Sequence, residues 1–120
     1  MGTMPGTIYN QKDILLLPFP YSNLKTTKKR PALVLSSDTF NSSGPDIICC
    51  LITTNPKQNS FTVPISEQDV EEGKLFFAST VRPYRLFTIE KSIVNRKLCR
   101  LGTEKFDMVV GKLTLFVSSP

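Results

Sequence analysis

The chain has 120 residues, a hydrophobic fraction of 40% and a net charge of +5. That is enough for one modest core and too little for two domains, and no apolar run approaches the ~20 residues that a membrane span requires. Histidine is absent altogether, and the three cysteines form no CxxC pair, which argues against a zinc site and removes the commonest general acid/base.

Residues 1–11 read as a tail with a second possible start at Met4, and residues 12–120 as the single domain. The tail lacks the charged and apolar regions of a signal peptide, and Gly6 stands where a myristoylation signal requires Ser or Thr. A cytoplasmic location and no membrane partner follow as the expectation. Cys49 and Cys50 are neighbours that point to opposite faces of any strand, so they cannot staple one another, and Cys99 is expected to be a third structural thiol.

Residues 13–19 form a short apolar run broken by Pro18 and Pro20, which suits a first strand. Residues 21–29 are a polar, basic loop longer than a tight hairpin needs. A second strand is expected at 31–36, followed by a turn at 37–45 rich in Ser, Asn, Gly and Pro. Residues 46–53 are continuously β-prone, as in a central strand buried on both faces. Residues 60–65 alternate, with Pro64 marking an edge. Ser66 then caps a short acidic helix stopped by Gly73. Strands are expected at 75–81, interrupted by Arg82-Pro83 and resumed at 86–89, and again at 93–101. From Gly102 and Thr103 the spacing of Phe106, Val109, Val110, Leu113, Phe116 and Val117 predicts an amphipathic helix, its stripe packed on the core. Five or six short strands with a terminal helix describe a small, strongly bent antiparallel sheet or barrel of the α+β class.

The bases fall mainly in two groups, Lys25, Lys28, Lys29 and Arg30 in one, and Arg82, Arg85, Lys91, Arg96, Lys97 and Arg100 in the other, while Glu67, Asp69, Glu71 and Glu72 concentrate the acids elsewhere. Such a basic face suits a polyanion, and it equally suits a solvated surface. If strands 31–36 and 46–53 pair as a hairpin, residues whose numbers sum to about 82 face one another, placing Arg30 across from Ile52 and one step from Thr53. A guanidinium with five N–H donors and a threonine hydroxyl then converge on one small anion. They suit stabilisation of a five-coordinate phosphorus attacked by a neighbouring hydroxyl, which RNA supplies as its own 2′-OH. On these residues alone the alternative stands beside it: Arg30 a strand-edge charge and Thr53 a β-former.

Three ordered motifs bear on that choice: Lys-Asp-Ile-Leu-Leu-Leu-Pro-Phe-Pro-Tyr at 12–21, Lys-Lys-Arg-Pro-Ala-Leu-Val-Leu-Ser at 28–36, and Cys-Leu-Ile-Thr-Thr at 50–54. Together, with a weaker match at 79–86, they resemble the MazF/PemK toxin endoribonucleases of toxin–antitoxin modules. The resemblance implies a small SH3-like antiparallel β-barrel with appended helices (CcdB/PemK-like), usually a homodimer. It implies cleavage of single-stranded RNA at short sequences without a metal or other cofactor, neutralisation by a cognate antitoxin, and contact with operator DNA only through the toxin–antitoxin complex. The family's catalytic arginine falls on Arg30 and its threonine on Thr53. Thr54, Lys28, Lys29, Arg82 and Tyr21 are the candidate RNA contacts, Tyr21 by stacking on a base. The family usually begins Gly-Asp-Ile, and Lys12 takes the glycine's place, which is expected to alter the start of the first strand. The competing readings are a CcdB-like toxin that binds a protein such as gyrase, and an RNA-binding barrel without catalysis.

Overall fold

The computed structural model describes residues 7–19 and 28–118. Its strands are β1 (Asp13–Pro18), β2 (Lys29–Val34), β3 (Asp46–Thr53), β4 (Val63–Ile65), β5 (Val70–Gly73), β6 (Ser79–Glu90) and β7 (Arg96–Leu101), with helices α1 (Asp38–Ser43) and α2 (Thr103–Val117). The described residues thus carry seven strands in one antiparallel sheet of order β4-β6-β3-β2-β1-β7-β5, one more than the upper expectation. The two edge strands, β4 and β5, are joined by nothing but the turn at 66–69, so the sheet must curl to bring its edges together. The result is a mainly β half-barrel.

Apolar residues alternate along the central strands and feed two clusters. Ile14, Leu33, Cys50, Ile52 and Val81 pack with Phe106 and Val109 of α2, while Leu15, Leu17, Ala32, Val34 and Cys49 pack with Tyr9 and Phe19 on the opposite face. β3 lies between β2 and β6 and serves both clusters, as its unbroken apolar run predicts. Cys49 and Cys50 do point to opposite faces, and all three thiols are buried and unpaired.

Several local expectations fail for identifiable reasons. Most of the turn expected at 37–45 is helical, as α1: Ser37 caps it by accepting from the Phe40 amide at 3.2 Å, and the buried Asn41 amide donates to the Tyr9 and Ser36 carbonyls at 3.1 Å each. The helix expected from Ser66 is cut to one 3₁₀ turn, Glu67–Asp69, because Val70 pairs with Leu101 and starts β5. The capping box is nevertheless real, with the Ser66 N–H donating to the Asp69 carboxylate at 2.8 Å. Residues 75–78 do not begin a strand; the Leu75 N–H goes to the Glu67 carboxylate at 2.6 Å instead of a ladder. β6 runs straight through Arg82-Pro83, the register shifting opposite Cys50/Leu51 so that Pro83 needs no ladder partner. The alternating run at 60–65 shortens to β4, whose edge position suits the exposed Pro64. The stripe of α2 is core only in its first half: Phe106 and Val109 are buried, whereas Val110 and Val117 are exposed.

Lys12 carries a left-handed backbone, φ +80°. This is the conformation a glycine adopts without cost, and it is where the resemblance places a glycine. Lys12 is held there by its own N–H on the Val34 carbonyl and by its carbonyl, which accepts from Leu101. The substitution therefore strains the start of β1 and leaves the strand in place.

Candidate active site

β2 and β3 pair at Ala32↔Leu51, Leu33↔Cys50 and Val34↔Cys49. That is one residue off the expected register, and the difference sharpens the site. Carried two residues further, the same register sets Arg30 level with Thr53 itself. On the outer sides Leu17 pairs with Arg30, and Thr80 with Thr53. Directly opposed residues share a face of the sheet, so Arg30, Thr53 and Thr80 form one row. Arg82, opposite Leu51, lies on the same face one row over.

The Arg30 side chain is half-buried and has no hydrogen-bond or ion-pair partner among the described residues. A charge held in this way at a sheet margin is poised for an external anion. Thr53 is also half-buried, and its hydroxyl oxygen accepts from the Asn55 N–H at 3.2 Å, which leaves its own hydrogen to donate. Thr54 is exposed at the end of the strand, and Lys28 and Lys29 are exposed at the start of β2. Tyr21 and most of the basic loop before β2, Lys25 included, lie outside the described residues.

The loop at 54–62 is built more tightly than its turn-forming composition suggests. Asn55 and Asn59 accept, through their side-chain oxygens, from the Lys57 and Phe61 amides at 3.0 and 2.8 Å. Gln58 donates to the Thr80 hydroxyl at 2.6 Å and accepts from the Thr62 hydroxyl at 2.8 Å. Arg82 donates to the Lys57 carbonyl and to the Tyr84 hydroxyl, both at 3.1 Å, and Asn59 donates to the same hydroxyl at 3.1 Å. Arg82 thus anchors the loop that follows Thr53. Burial raises the Tyr84 pKa, but the bonds from Asn59 and Arg82 and the charges of Arg82 and Arg85 outweigh it, so the phenol lies below its ordinary range. Asn59, Gln58 and Tyr84 escaped sequence reasoning, since a polar turn gives no sign of which strand it will be tied to.

The β7 members of the second basic group behave differently from Arg82. Asp13 is fully buried, and its carboxylate takes the Arg100 Nε at 3.1 Å, the Lys97 ammonium at 3.3 Å and the Asn10 N–H at 2.8 Å. Lys97 also reaches Glu72 at 3.1 Å, and Lys12 lies 3.9 Å from Glu71. The hydrogen bond from Lys97, with its charge and that of Arg100, holds the Glu72 carboxyl below the ordinary range. The acidic segment expected to lie apart from the bases is folded against Lys97 and Arg100, so these two are no open basic face, while Arg96 is exposed.

Among the described residues no three Cys, Asp or Glu side chains come together as a metal-holding group, and no helix is long and apolar enough to cross a membrane. Burial pushes the Cys49 thiol up to about 12 and the Cys99 thiol up to about 11, and Cys50 is raised further by burial and by Cys49 beside it. None of the three is a nucleophile in the folded chain.

Against known proteins, residues 10–117 match the family profile of the PemK-like, MazF-like toxins of type II toxin–antitoxin systems. No curated protein sequence matches the chain. Among solved structures, a mycobacterial endoribonuclease in complex with its cognate antitoxin aligns with a TM-score of 0.75 at 15% identity, over 93% of this chain and 99% of its own. MazF from Deinococcus radiodurans aligns at 0.73 and 20% identity, over 92% and 97%. The Mycobacterium tuberculosis toxin MazF-mt6 aligns at 0.71 and 18% identity, over 90% and 99%. At these identities the likeness establishes a common half-barrel.

Proposed function

This chain belongs to the PemK-like, MazF-like toxins of type II toxin–antitoxin systems, and from that premise we propose that it is an endoribonuclease cutting single-stranded RNA at the Arg30/Thr53 row. The observation that carries the reading is the half-buried Arg30 guanidinium, without a partner among the described residues and level with Thr53 at one end of the sheet. The 2′-oxygen of RNA attacks the adjacent phosphorus and surrenders its proton to water. The bond to the 5′ oxygen breaks, leaving a cyclic phosphate and a free 5′ hydroxyl. Arg30 stabilises the charge that builds on the phosphoryl oxygens and donates to the departing 5′ oxygen. Thr53 donates its hydroxyl hydrogen to the same phosphate and fixes its position. Lys28, Lys29 and Thr54 hold flanking phosphates, Tyr21 stacks on a base, and Arg82 supports the loop at 54–62 with donors left over for RNA. Because RNA brings its own nucleophile and Arg30 the positive charge, the reaction needs no metal.

The partners proposed with this activity are a cognate antitoxin, of the kind present in the mycobacterial complex, and a second copy of the chain. Val110, Leu115 and Val117 leave the end of α2 apolar and exposed, as suits a surface covered in an assembly. Contact with operator DNA is proposed only for the toxin–antitoxin complex. Buried, unpaired thiols suit the reducing cytoplasm as the place of action.

The test is cleavage of a long mixed-sequence RNA by the purified protein in excess chelator, with cut ends mapped by primer extension. Arg30→Ala is expected to lose at least about 10²–10³-fold in rate while keeping its circular dichroism and melting temperature. Arg30→Lys keeps the charge but lacks the planar fork, and is expected to recover little. Undiminished cleavage by Arg30→Ala would remove Arg30 from the chemistry. Toxicity that persists in that variant without RNA cleavage would favour a protein target.

A further inference from the structure

A cleft of about 310 Å³ lies at the β4 edge and opens directly beside Thr54, the residue after Thr53. Its walls include Pro56 and Pro64, while Thr54, Gln68 and Lys105 place polar groups around it. The Gln68 amide has no hydrogen-bond partner among the described residues, and Lys105 uses one of its three N–H donors on the Pro64 carbonyl, at 3.1 Å. Gln58, also in the wall, is locked at both ends by Thr80 and Thr62. The cleft wall also includes Ala78, and the residues just before it in the chain, Phe77 and Phe76, are 72% and 81% exposed. The connection carrying these two rings is fixed at both ends, by the Leu75 N–H on Glu67 at 2.6 Å and by the Ser79 hydroxyl on the Phe77 carbonyl at 2.8 Å. Two apolar rings are therefore presented to solvent on a braced segment.

We propose that this cleft is a nucleobase subsite, in which Gln68 reads the edge of the base next to the scissile phosphate and Phe76 and Phe77 stack on the bases that follow. The proposal rests on the endoribonuclease reading above. The chemistry fits an RNA strand. Two prolines give flat apolar walls for a base, a free amide offers both a donor and an acceptor to its edge, and Lys105 offers a cation to a phosphate. The exposed rings, next in the chain to the wall residue Ala78, offer stacking surfaces of the kind used in sequence-tolerant single-strand tracks. A protein partner would more naturally use the aliphatic end of α2, where Val110, Leu115 and Val117 lie.

The experiment compares the full-length wild type, Gln68→Ala and a Phe76→Ala/Phe77→Ala variant on one long mixed-sequence RNA, sequencing all cut ends and measuring kcat and KM on a short oligonucleotide carrying the preferred site. Both targets are exposed, and circular dichroism confirms folding of each. Gln68→Ala is expected to keep cutting but to relax the preference at a single position next to the cut by about 10-fold, the scale of one lost base-edge contact. The double variant is expected to raise KM about 10-fold or more, with the larger effect on KM than on kcat. A wild type that cuts RNA together with a Gln68→Ala pattern identical to it would overturn the subsite and leave the enzyme reading intact. A wild type that cuts nothing would overturn the enzyme reading itself. An unchanged KM in the double variant, with dimer dissociation measured by sedimentation, would make the Phe pair a contact between copies and reject the stacking role.

Discussion

The two basic segments of this chain look alike in sequence and do opposite things in the fold. Lys29-Arg30 opens β2 at a sheet margin, and neither side chain has a partner among the described residues. Lys97 and Arg100 sit on β7 and are neutralised by Asp13 and Glu72. The difference is made by what the topology brings alongside. β2 lies beside β1 and β3, whose facing residues at that end are Leu17 and, by register, Thr53. β7 lies between β1, which starts with Asp13, and β5, which carries Glu72. A count of positive charges cannot distinguish a cation waiting for a phosphate from one that holds a strand in place.

The sharpest way to break the comparison is to exchange the effects of the two arginines. Arg30→Ala is expected to remove RNA cleavage with no loss of stability. Arg100→Ala is expected to lower the melting temperature while the folded fraction cleaves at the wild-type rate, scored by kcat per folded molecule. If Arg100→Ala abolished cleavage without destabilising the fold, the assignment of the second segment to structure would be wrong.

The next largest effect is at the anion that organises that segment. Asp13→Ala removes a fully buried carboxylate from two cations and from the Asn10 N–H. Losing one partner of a buried pair costs about 3–5 kcal/mol, and because Lys97 and Arg100 keep some access to water the lower part of that range, about 3 kcal/mol, is expected in a denaturant titration. A loss below about 1 kcal/mol would mean that the network contributes little beyond surface pairing.

What the sequence revealed, and what it hid, divides along the same line. β3 and α2 were legible almost to the residue, because a doubly buried strand and an amphipathic helix are written in consecutive side chains. Arg30 and Thr53 were placed near one another by a hairpin register that proved one residue off, the loop between the strands having folded into α1. The acidic stretch at 67–72 was misread as a helix because Ser66 caps it convincingly; its fate as a 3₁₀ turn and β5 depends on Leu101 and Lys97, which lie far downstream in the chain. Lys12 gave a hint, standing where a glycine was expected, but only its φ of +80° supplied the reason.

Between the two segments lies the thiol pair of β3, and it responds to alkali in a predictable direction. The Cys49 thiol rises from 9.0 to about 12 through burial. The unfolded chain therefore loses this proton first, so stability from the group is complete below about pH 9 and declines as pH rises towards 12. One such thiol contributes a slope of up to about 1.4 kcal/mol per pH unit in that window. Cys49→Ala is expected to be somewhat less stable at pH 8 but to lose stability less steeply between pH 9 and 11. Equal slopes for the two proteins in urea titrations would place the alkaline loss elsewhere.

The smallest expected effect separates strain from charge on the neutralised side. Lys12 holds φ +80° at a cost of about 1 kcal/mol for a residue with a Cβ. Its side chain returns part of this by donating to the Thr103 hydroxyl at 2.9 Å and by lying 3.9 Å from Glu71, exposed contacts worth about 0–1 kcal/mol together. Lys12→Ala keeps the strain and loses the contacts, so its melting temperature should fall slightly. Lys12→Gly loses the same contacts but relieves the backbone, and is expected to exceed Lys12→Ala by about 1 kcal/mol and to match or slightly exceed the wild type. Neither change should alter RNA cleavage per folded molecule, because Lys12 acts at the far end of β1 from Leu17, the neighbour of Arg30. If Lys12→Gly were no more stable than Lys12→Ala, the left-handed turn would be unstrained, and the lysine would be held there by its side chain alone.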